Sequence, residues 1–449
     1  MAIWIKNGRV LDPATDLDEV CDIYIRGEKI KEVRRSGKEL KEELKELKSG
    51  EDTEAVEAVD EEVVEIDAKG CFVMPGLIDL HTHMRDPGQT QKEDIISGSA
   101  AAVRGGFTTI LAMPNTSPAA DNVDVIGYVH NKAESIKNGC RILQVGAATK
   151  KQNGTELADI AEMIQAGSPA ISEDGKSVMD AGLCLEAMKI AAKNGVPVLA
   201  HCEDRTLLHN GVINEGKKAK ELGLPGISNL VEDLIISRDI MLAKEAGAKL
   251  HICHLSTKGG LELIEKAKEE GVSITVEVCP HHFTLCDEDI PSDNANYKMN
   301  PPLRSREDRE ALRDGLKRGV IDCISTDHAP HTKEDKFGGF RDAPFGIVGL
   351  ETAAALTYTE LVETGILTPL QMAEKMSYAP AKIISSDRGT LKEGAVADIV
   401  IFDPNVSVVI DSGKFASKGR NTPFDGRKVK GQVVKTIRNG RVIYQADRG

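Results

Sequence analysis

The chain has 449 residues, of which 41% are hydrophobic and 29% are charged, so it is long enough for one large elaborated domain or for two domains. Its formal net charge of −14 excludes a general nucleic-acid-binding surface, which would need a basic face. No basic leader with a following apolar run opens the sequence, and no apolar stretch approaches the roughly 20 residues of a membrane-spanning helix. We therefore expect a cytoplasmic protein that binds neither nucleic acid nor a membrane.

The nine cysteines are scattered along the chain, and most lie inside apolar, strand-like runs. An odd, dispersed set of this kind favours buried thiols in a reducing compartment over a disulfide framework. Because the sequence contains no CxxC pair, a zinc site made of cysteines is not expected.

The two ends of the chain resemble each other. Residues 3–34 contain short alternating strands with an Asn7-Gly8 pair, and residues 437–443 repeat the pattern as IRNGRVI against IKNGRVL. Asn-Gly between alternating apolar residues predicts a β-hairpin turn. We therefore expect one small β-sandwich domain formed by residues 1–74 together with 391–449. The stretch 37–62 is nearly all charged or small and predicts an exposed insert without a chemical role.

The central region, residues 75–390, alternates short apolar runs with longer amphipathic ones, which is typical of βα units and a parallel sheet. Eight candidate strands follow one another, namely GLIDLHTHMR, FTTILAMPN, CRILQVGAAT, PAISEDG, VPVLAHCED, KLHICHLST, SITVEVCPHH and IDCISTDHAP. This count predicts an α/β fold, a (β/α)8 TIM barrel, whose chemistry lies where the strands end. Almost every candidate strand does end in polar or ionisable residues.

The first of these strands ends in HTHMR. Side chains of a strand alternate between its faces, so His81, His83 and Arg85 are expected to point to the same side. Two imidazoles at this spacing can share one metal ion, and imidazole suits zinc well. An isolated HxH is weak evidence, so the prediction of a metal site depends on further ligands.

Further candidate ligands stand at the ends of other strands. His201 ends the fifth strand, His254 the sixth and Asp327 the eighth. Burying so many ionisable groups around one axis would be costly unless a cation compensated them. If two ions lie side by side, a carboxylate of the fourth strand could reduce their repulsion, and either Glu173 or Asp174 could provide it.

In order along the chain, HTHMRDPG, MPNTSP, SEDG, AHCED, CHLST, NPPLR, STDHAPH and APFGIVG resemble the motifs of the amidohydrolase superfamily. The similarity is to its dihydroorotases, in the class that has an aspartate rather than a carboxylated lysine at the metal site. It covers essentially the whole chain. It implies that one or two zinc ions are held by the following set: His81, His83, Asp174, His201, His254 and Asp327.

The resemblance also implies an activity, the reversible conversion of N-carbamoyl-L-aspartate to dihydroorotate in pyrimidine biosynthesis. Asp327 would be the catalytic proton acceptor beside the metal. Arg85 would hold the substrate carboxylate through paired hydrogen bonds. The remaining substrate contacts that it implies are Asn115, Asn300, His331, Phe345 and Gly346. The partner is then a small molecule; a homo-oligomer or association with other pyrimidine-pathway enzymes stays open.

Several alternatives remain open at this point. Hydantoinases, dihydropyrimidinases and allantoinases resemble the chain in HxH and the later ligands, but they carry a carboxylated lysine on strand four, where PAISEDG has none. A metal-free scaffold subunit is a second alternative, although it should have lost ligands. Arg85 could instead pair with Asp86 or Glu93, and Phe345 could serve packing alone. Asn115 and Asn300 lie beside prolines and could form turns.

The remaining predictions concern one loop and the histidines and cysteines outside the ligand set. The loop 331–343, HTKEDKFGGFRDA, is polar with paired glycines and could close over a substrate. We expect four residues to point away from the ligands: His251, His328, Cys202 and Cys253. His281 and His282 are interpreted as supporting or structural residues.

Overall fold

The computed structural model describes residues 2–36 and 63–446, so the predicted charged insert at 37–62 lies outside the described residues. In chain order the strands are β1 Ala2–Asp12, β2 Leu17–Arg26, β3 Lys29–Arg35, β4 Val63–Asp67, β5 Phe72–Pro75, β6 Leu77–Thr82, β7 Phe107–Ala112, β8 Arg141–Gln144, β9 Gly146–Ala147, β10 Ile171–Ser172, β11 Val198–Ala200, β12 Ile213–Asn214, β13 Gly226–Ile227, β14 Leu250–Ile252, β15 Ile274–Val278, β16 Cys323–Ile324, β17 Ile399–Val409, β18 Lys428–Arg438 and β19 Arg441–Gln445.

Helices separate most of the central strands. The α-helices span Ile95–Arg104, Val123–Glu134, Ile160–Gln165, Ala181–Lys193, Lys217–Leu222, Leu230–Ala246, Lys258–Glu269, Pro280–Thr284, Arg306–Arg318, Gly339–Asp342, Ala353–Thr357, Pro369–Ala373 and Ala379–Ile383. None of the helices in 2–36 and 63–446 combines the length and apolarity needed to cross a bilayer.

Each of the eight predicted central strands contains an observed one. Parallel pairing runs through β6-β7-β8 and through β9-β10-β11-β14-β15-β16, and β8 and β9 are separated by Val145 alone. A parallel bridge between Thr82 and His328, supported by a 2.8 Å hydrogen bond from His83 N to His328 O, joins the eighth strand position back to the first. The predicted α/β (β/α)8 fold is confirmed.

Some apolar residues of the central strands face the barrel interior, and others face the surrounding helices. Ile78, Leu111, Val145 and Leu199 pack into one buried cluster inside the barrel. Their neighbours along the strands instead pack with the helices in the largest core cluster. Because both faces are covered, the strands are almost continuously apolar, as parallel strands buried on two sides require.

The two ends of the chain build one further sheet. Its order is β19-β18-β17-β5-β1-β2-β3, with β4 pairing to β1. Since β5 ends at Pro75 and β6 begins at Leu77, the chain passes from this sheet into the barrel without a linker. All nine cysteines are buried and free, as their scattered positions predicted.

The two Asn-Gly pairs adopt different structures. Asn439 and Gly440, both with positive φ, form the two-residue turn between β18 and β19. The hairpin predicted at Asn7-Gly8 is wrong, because β1 continues through it and the pair forms a bulge in the β1–β2 register. Asn7 still has positive φ, but β1 is flanked by partners on both sides, so the extra residue is absorbed within the strand.

Replacing Gly440 by alanine should destabilise the protein. A Cβ there would lie 1.9 Å from the carbonyl oxygen of Gly27, and the residue has φ +67°. Left-handed backbone and overpacking together predict a loss of about 2 kcal/mol or more. Gly426→Ala is the matched control, because Gly426 has φ +78° but open space around it. The measurement is the thermal midpoint of each variant; equal midpoints would contradict the predicted clash.

Candidate active site

The predicted ligands lie just beyond the carboxyl ends of the barrel strands. His81 is within β6, and His201 directly follows β11. Arg85, His254 and Asp327 have φ of +57°, +34° and +48°. Non-glycine residues adopt this region rarely, and clusters of them are typical of functional sites, where surrounding contacts hold them.

Four of the six predicted ligands form one group. His81 Nε2 lies 3.1 Å from Asp174 Oδ1 and 3.6 Å from Asp327 Oδ1. His83 Nε2 lies 3.0 Å from Asp327 Oδ1 and 3.5 Å from Asp174 Oδ2. Ligand atoms that share one tetrahedral zinc ion lie roughly 3.3 Å apart, because each is about 2.0–2.1 Å from the metal. These separations therefore match a common cation.

The other two predicted ligands, His201 and His254, also approach Asp174. Their facing nitrogens, His201 Nδ1 and His254 Nε2, are 2.9 Å apart. They lie 3.7 and 3.9 Å from Asp174 Oδ1, so this carboxylate is shared by both groups. Asp174 thus belongs to two groups of side chains that could each hold a metal ion, one with His81 and His83 and one with His201 and His254.

The chemistry of the donor atoms also fits a metal. His81 Nε2 and Asp174 Oδ1 are fully buried, yet within the described residues neither makes a hydrogen bond, although they are close to each other. Buried polar atoms without partners are costly. A divalent cation between them would satisfy both, and imidazole and carboxylate are suitable ligands for zinc.

The contacts of Glu173 and Asp174 differ and favour Asp174 as the candidate ligand. Asp174 faces the histidines, and its backbone N–H donates to Ser172 Oγ at 3.0 Å. Glu173 turns the other way and accepts from Thr149 N at 3.0 Å and from the Thr149 hydroxyl. Successive residues of the strand end thus point to opposite sides.

Charges within the cluster keep its carboxylates ionised. Burial opposes the charge of Asp174, but His81 and its neighbours hold the pKa of this carboxyl well below its ordinary value. Burial likewise opposes a charge on His81, yet Asp174 raises the pKa of this imidazole well above its ordinary value. A cation bound at His81 would release the imidazole proton, since only the neutral ring can act as a ligand.

Sequence reasoning missed Glu277, which lies in the middle of β15. The carboxylate is fully buried and lies 2.9 Å from His81 Nδ1, so His81 presents Nε2 to the ligand cluster. It also accepts from the backbone N–H of His254 at 3.2 Å and contacts His251 Nε2 at 3.2 Å. Such a carboxylate fixes the tautomer and orientation of a metal-binding histidine. The only signal in the sequence was an acidic residue inside an apolar strand.

The prediction that His251 and Cys253 point away from the ligands is wrong. His251 contacts Glu277 inside the barrel, and the Cys253 sulfur lies within 4.8 Å of ligand atoms of His81 and Glu277. The alternation rule fails here because His254 has left-handed backbone, so consecutive residues Cys253 and His254 both reach the interior. Cys202 packs in the cluster under the helices, as predicted.

The predicted substrate residues line one cavity with five of the six predicted ligands. This cavity, of about 180 Å³, is lined by His83, Arg85, Asn115, Asp174, Gly175, His201, His254, Asn300, Asp327, Ala329, His331, Phe345 and Gly346. Burial lowers the pKa of Arg85 to about 10, so its guanidinium remains charged at neutral pH. Its Nε donates to Pro330 O at 3.3 Å, and it pairs with neither Asp86 nor Glu93 within the described residues.

The two asparagines of the cavity contact residues beside or within the ligand set. Asn115 Oδ1 lies 2.9 Å from His83 Nδ1, which directs the other ring nitrogen of His83 toward Asp327. Asn300 Nδ2 donates to Glu203 Oε2 at 2.5 Å, and that carboxylate is 3.8 Å from His201 Nε2. Glu203 is a second acidic residue that sequence reasoning did not select. Both asparagines therefore have a role in the site besides any turn that they form.

His331 is neutral and carries its proton on Nε2. Burial, together with Arg85, lowers its pKa to about 3. Lys92 Nζ donates to Nδ1 at 3.3 Å, so Nε2 bears the hydrogen and donates to Phe345 O at 2.8 Å. His331 thus ties the loop that follows it to the cavity wall.

Lys336 was not selected from the sequence either. Within the loop 331–343, its ammonium donates to Pro344 O and Gly346 O, both at 2.9 Å, and to Lys298 O at 3.3 Å. Burial and the neighbouring Lys298 lower the pKa of Lys336 to about 7. Lys336 therefore holds the Phe345-Gly346 backbone in place through a hydrogen bond to Gly346 O. No carboxylate within the described residues forms an ion pair with Lys336.

Comparison with known proteins agrees with this geometry. The model of the amidohydrolase family matches residues 72–443. A dihydroorotase of Pelotomaculum thermopropionicum is 46% identical over 445 residues, covering 99% of both chains. A dihydroorotase of Bacillus pumilus is 44% identical over 448 residues, covering 100% of this chain and 99% of the relative.

Solved structures give the same fold. The L-hydantoinase of Arthrobacter aurescens has a TM-score of 0.83 at 27% identity, covering 99% of this chain and 96% of its own. The D-hydantoinase of a Thermus species has a TM-score of 0.79 at 26% identity, covering 99% and 97%. The chain therefore belongs to the amidohydrolase family and, within it, to the dihydroorotases.

Proposed function

We propose that the protein is a zinc-dependent dihydroorotase, which closes N-carbamoyl-L-aspartate to (S)-dihydroorotate and water in pyrimidine biosynthesis, and reverses this reaction. The observation that carries the proposal is that five of the six candidate ligands line one cavity with Arg85, and the sixth, His81, contacts Asp174 beside it, in a chain 46% identical to a dihydroorotase. The substrate is a small molecule whose carboxylate and cyclic amide match the two kinds of group in the cavity.

The metal would be held by His81, His83 and Asp327 on one side of Asp174 and by His201 and His254 on the other. When bound, a divalent cation supplies Lewis acidity toward the amide carbonyl and lowers the pKa of water in its coordination sphere. Glu277 and Asn115 orient the rings of His81 and His83 for this purpose.

In the hydrolytic direction, the oxygen of water bonds to the amide carbon and the ring C–N bond breaks. Asp327 accepts the proton from the water and returns it to the departing nitrogen, so no other acid is needed. His83 lies 3.0 Å from Asp327 Oδ1 and, with burial opposing it, lowers the pKa of this carboxyl. The carboxylate is therefore ionised and ready to accept the proton at neutral pH.

On the opposite side of the reacting amide, Arg85 would bind the substrate carboxylate through its planar guanidinium. Asn115 and His331 line the same cavity, and Asn300 with the Phe345-Gly346 backbone would contact the ring. These contacts would position the carbonyl carbon of the substrate next to the attacking water. Orientation of this kind accounts for much of enzymatic rate enhancement.

Hydantoinase activity is the second candidate, because hydantoinases are the structural neighbours described above. Two features favour dihydroorotate. Asp174 occupies the position on strand four where the resemblance assigns hydantoinases a modified lysine, and Arg85 supplies a charge for a carboxylate that the cyclic diamide substrates of hydantoinases lack. Turnover of dihydroorotate, carbamoyl aspartate and hydantoin by the purified metal-loaded protein would test the proposal. Bound zinc without turnover of the first two would favour a scaffold instead.

Asp174→Asn should reduce metal content, because the shared carboxylate compensates the charge of both cations. We expect up to two zinc ions per chain in the wild type and one or fewer in the variant, measured by elemental analysis after gel filtration. Glu173→Gln is the matched control, since Glu173 bonds Thr149 rather than the histidines. An unchanged zinc content in Asp174→Asn would refute the bridging role.

Arg85→Gln should raise the KM for dihydroorotate by about 100-fold or more, because a bidentate bond to a charged group is lost. Its zinc content should stay at the wild-type level. Asp327→Asn should instead lower kcat, and steady-state kinetics of both variants would separate the two roles. A wild-type KM in Arg85→Gln would contradict the assignment of the substrate carboxylate.

Lys336→Met should raise KM by roughly tenfold while changing kcat less, because Pro344 O and Gly346 O, on either side of Phe345, each lose a hydrogen bond from Lys336 Nζ. Lys333→Met is the control, since Lys333 is exposed in the same loop. The melting temperature is recorded alongside the kinetics. A proportional loss of kcat in Lys336→Met with unchanged KM would exclude the positioning role.

A further inference from the structure

A second cavity, of about 280 Å³, lies at the amino ends of the barrel strands, away from the ligand cluster. Its walls come from three parts of the chain: Arg141 begins β8, Arg438 ends β18, and Arg388 lies between the helix Ala379–Ile383 and β17. The cavity is thus formed where the barrel meets the sheet built from both termini. It is larger than the catalytic cavity and shares no residue with it.

Guanidinium groups dominate the lining of this cavity. Three arginines and one carboxylate, Glu134, are its charged residues. Within the parts of the chain that the structure describes, Arg141 makes no ion pair and its side chain no hydrogen bond, while Arg438 donates once, to Gly139 O at 2.8 Å. Since a guanidinium carries five N–H donors, most donors of these two side chains are uncommitted.

Arg388 is more tightly held but keeps one free donor. Its Nη1 donates to Asp398 Oδ2 and Asn439 Oδ1, each at 2.8 Å. Its Nε is buried without a hydrogen bond among the described residues, and Asp387 Oδ1, 3.3 Å away, lies outside hydrogen-bond geometry. Asp387 therefore offsets part of the charge of Arg388, but the buried Nε–H has no aligned acceptor among the described residues and could donate to a ligand in the cavity.

The positive charges also repel one another. Burial lowers the pKa of Arg141, and Arg388 and Arg438 lower it further, although Asp387 and Asp398 oppose them. Neutral His130 adds a donor to the same wall, because its Nε2 accepts from Gln144 N at 3.0 Å and its hydrogen is therefore on Nδ1. An anion in the cavity would relieve the repulsion and accept these hydrogen bonds.

We propose that this cavity binds a small organic phosphate, with Arg141, Arg388 and Arg438 holding the phosphate group. Planar guanidinium forks match the geometry of phosphate oxygens, and converging forks favour a dianion over a single carboxylate. The apolar part of the lining, Ala133, Ile142 and Leu143, gives room for an organic body beside the phosphate. The site lies between the barrel and the terminal sheet, so its ligand would stabilise their contact.

Isothermal titration of the full-length, metal-loaded protein tests this inference with three probes: inorganic phosphate, ribose 5-phosphate and a nucleoside 5′-monophosphate. At least one probe should bind with one site per chain and a submillimolar Kd. The probe with the highest affinity distinguishes free phosphate from a sugar phosphate or a nucleotide. Binding of none of the three would overturn the proposal, whatever the outcome of the turnover assays.

Two variants of opposite effect locate the binding. Arg141→Gln with Arg438→Gln should weaken the affinity by about tenfold or more, and Glu134→Gln, which removes the one carboxylate of the lining, should strengthen it. Arg441→Gln, an exposed arginine of β19, is the control and should leave Kd unchanged. If the double variant fails to fold, Glu134→Gln still decides: an unchanged Kd in that variant would place the anion elsewhere and overturn the proposal.

Discussion

The structure depends on one electrostatic constraint, the burial of several ionisable side chains at a single end of the barrel. Asp174, Asp327 and Glu277 are carboxylates with little or no exposure, and the imidazole rings between them are equally buried. Ionised groups are expensive to bury unless they are paired or bind a metal. The pairing within the cluster is incomplete, since among the described residues His81 Nε2 and Asp174 Oδ1 make no hydrogen bond, and a cation would satisfy both. The surrounding fold holds these groups in position.

Because of that constraint, the residues that hold the ligands in position matter as much to the site as the ligands themselves. Glu277 in β15 contacts His81 from one strand and the backbone of His254 from another, so one buried carboxylate aligns both ligand groups. Asn115 does the same for His83. Ligands on separate strands can share an ion only if each ring is fixed to a fraction of an ångström, and rigid strands with hydrogen-bonded second partners provide that precision.

The sequence predicted the architecture well because its signals are repeated. Eight apolar runs ending in polar residues specify a barrel even when a single run is ambiguous, and the six predicted ligands lie at or just after strand ends, while the six predicted substrate residues line the adjoining cavity. Local rules failed where the backbone departs from regular geometry or where tertiary pairing overrides it. His254 has left-handed backbone, so alternation gave the wrong side for His251 and Cys253. Asn7-Gly8 forms a bulge, because partners flank β1 on both sides. Glu203, Glu277 and Lys336 carried no spacing signal, since their roles arise from contacts between residues distant in sequence.

The cavity has two electrostatic sides, and this division explains how a small substrate could be oriented. Asp174 and Asp327 make one side anionic, and a metal there offers Lewis acidity to a carbonyl group. Arg85 gives the other side a positive charge. Lys92, which bonds His331, and Lys336, which bonds the Phe345-Gly346 backbone, add further positive charge near this side. Because His331 is held neutral between these cations, it donates a hydrogen bond without adding repulsion. A molecule with a carboxylate at one end and an amide at the other fits in one direction only, so the charge distribution itself selects which bond meets the metal.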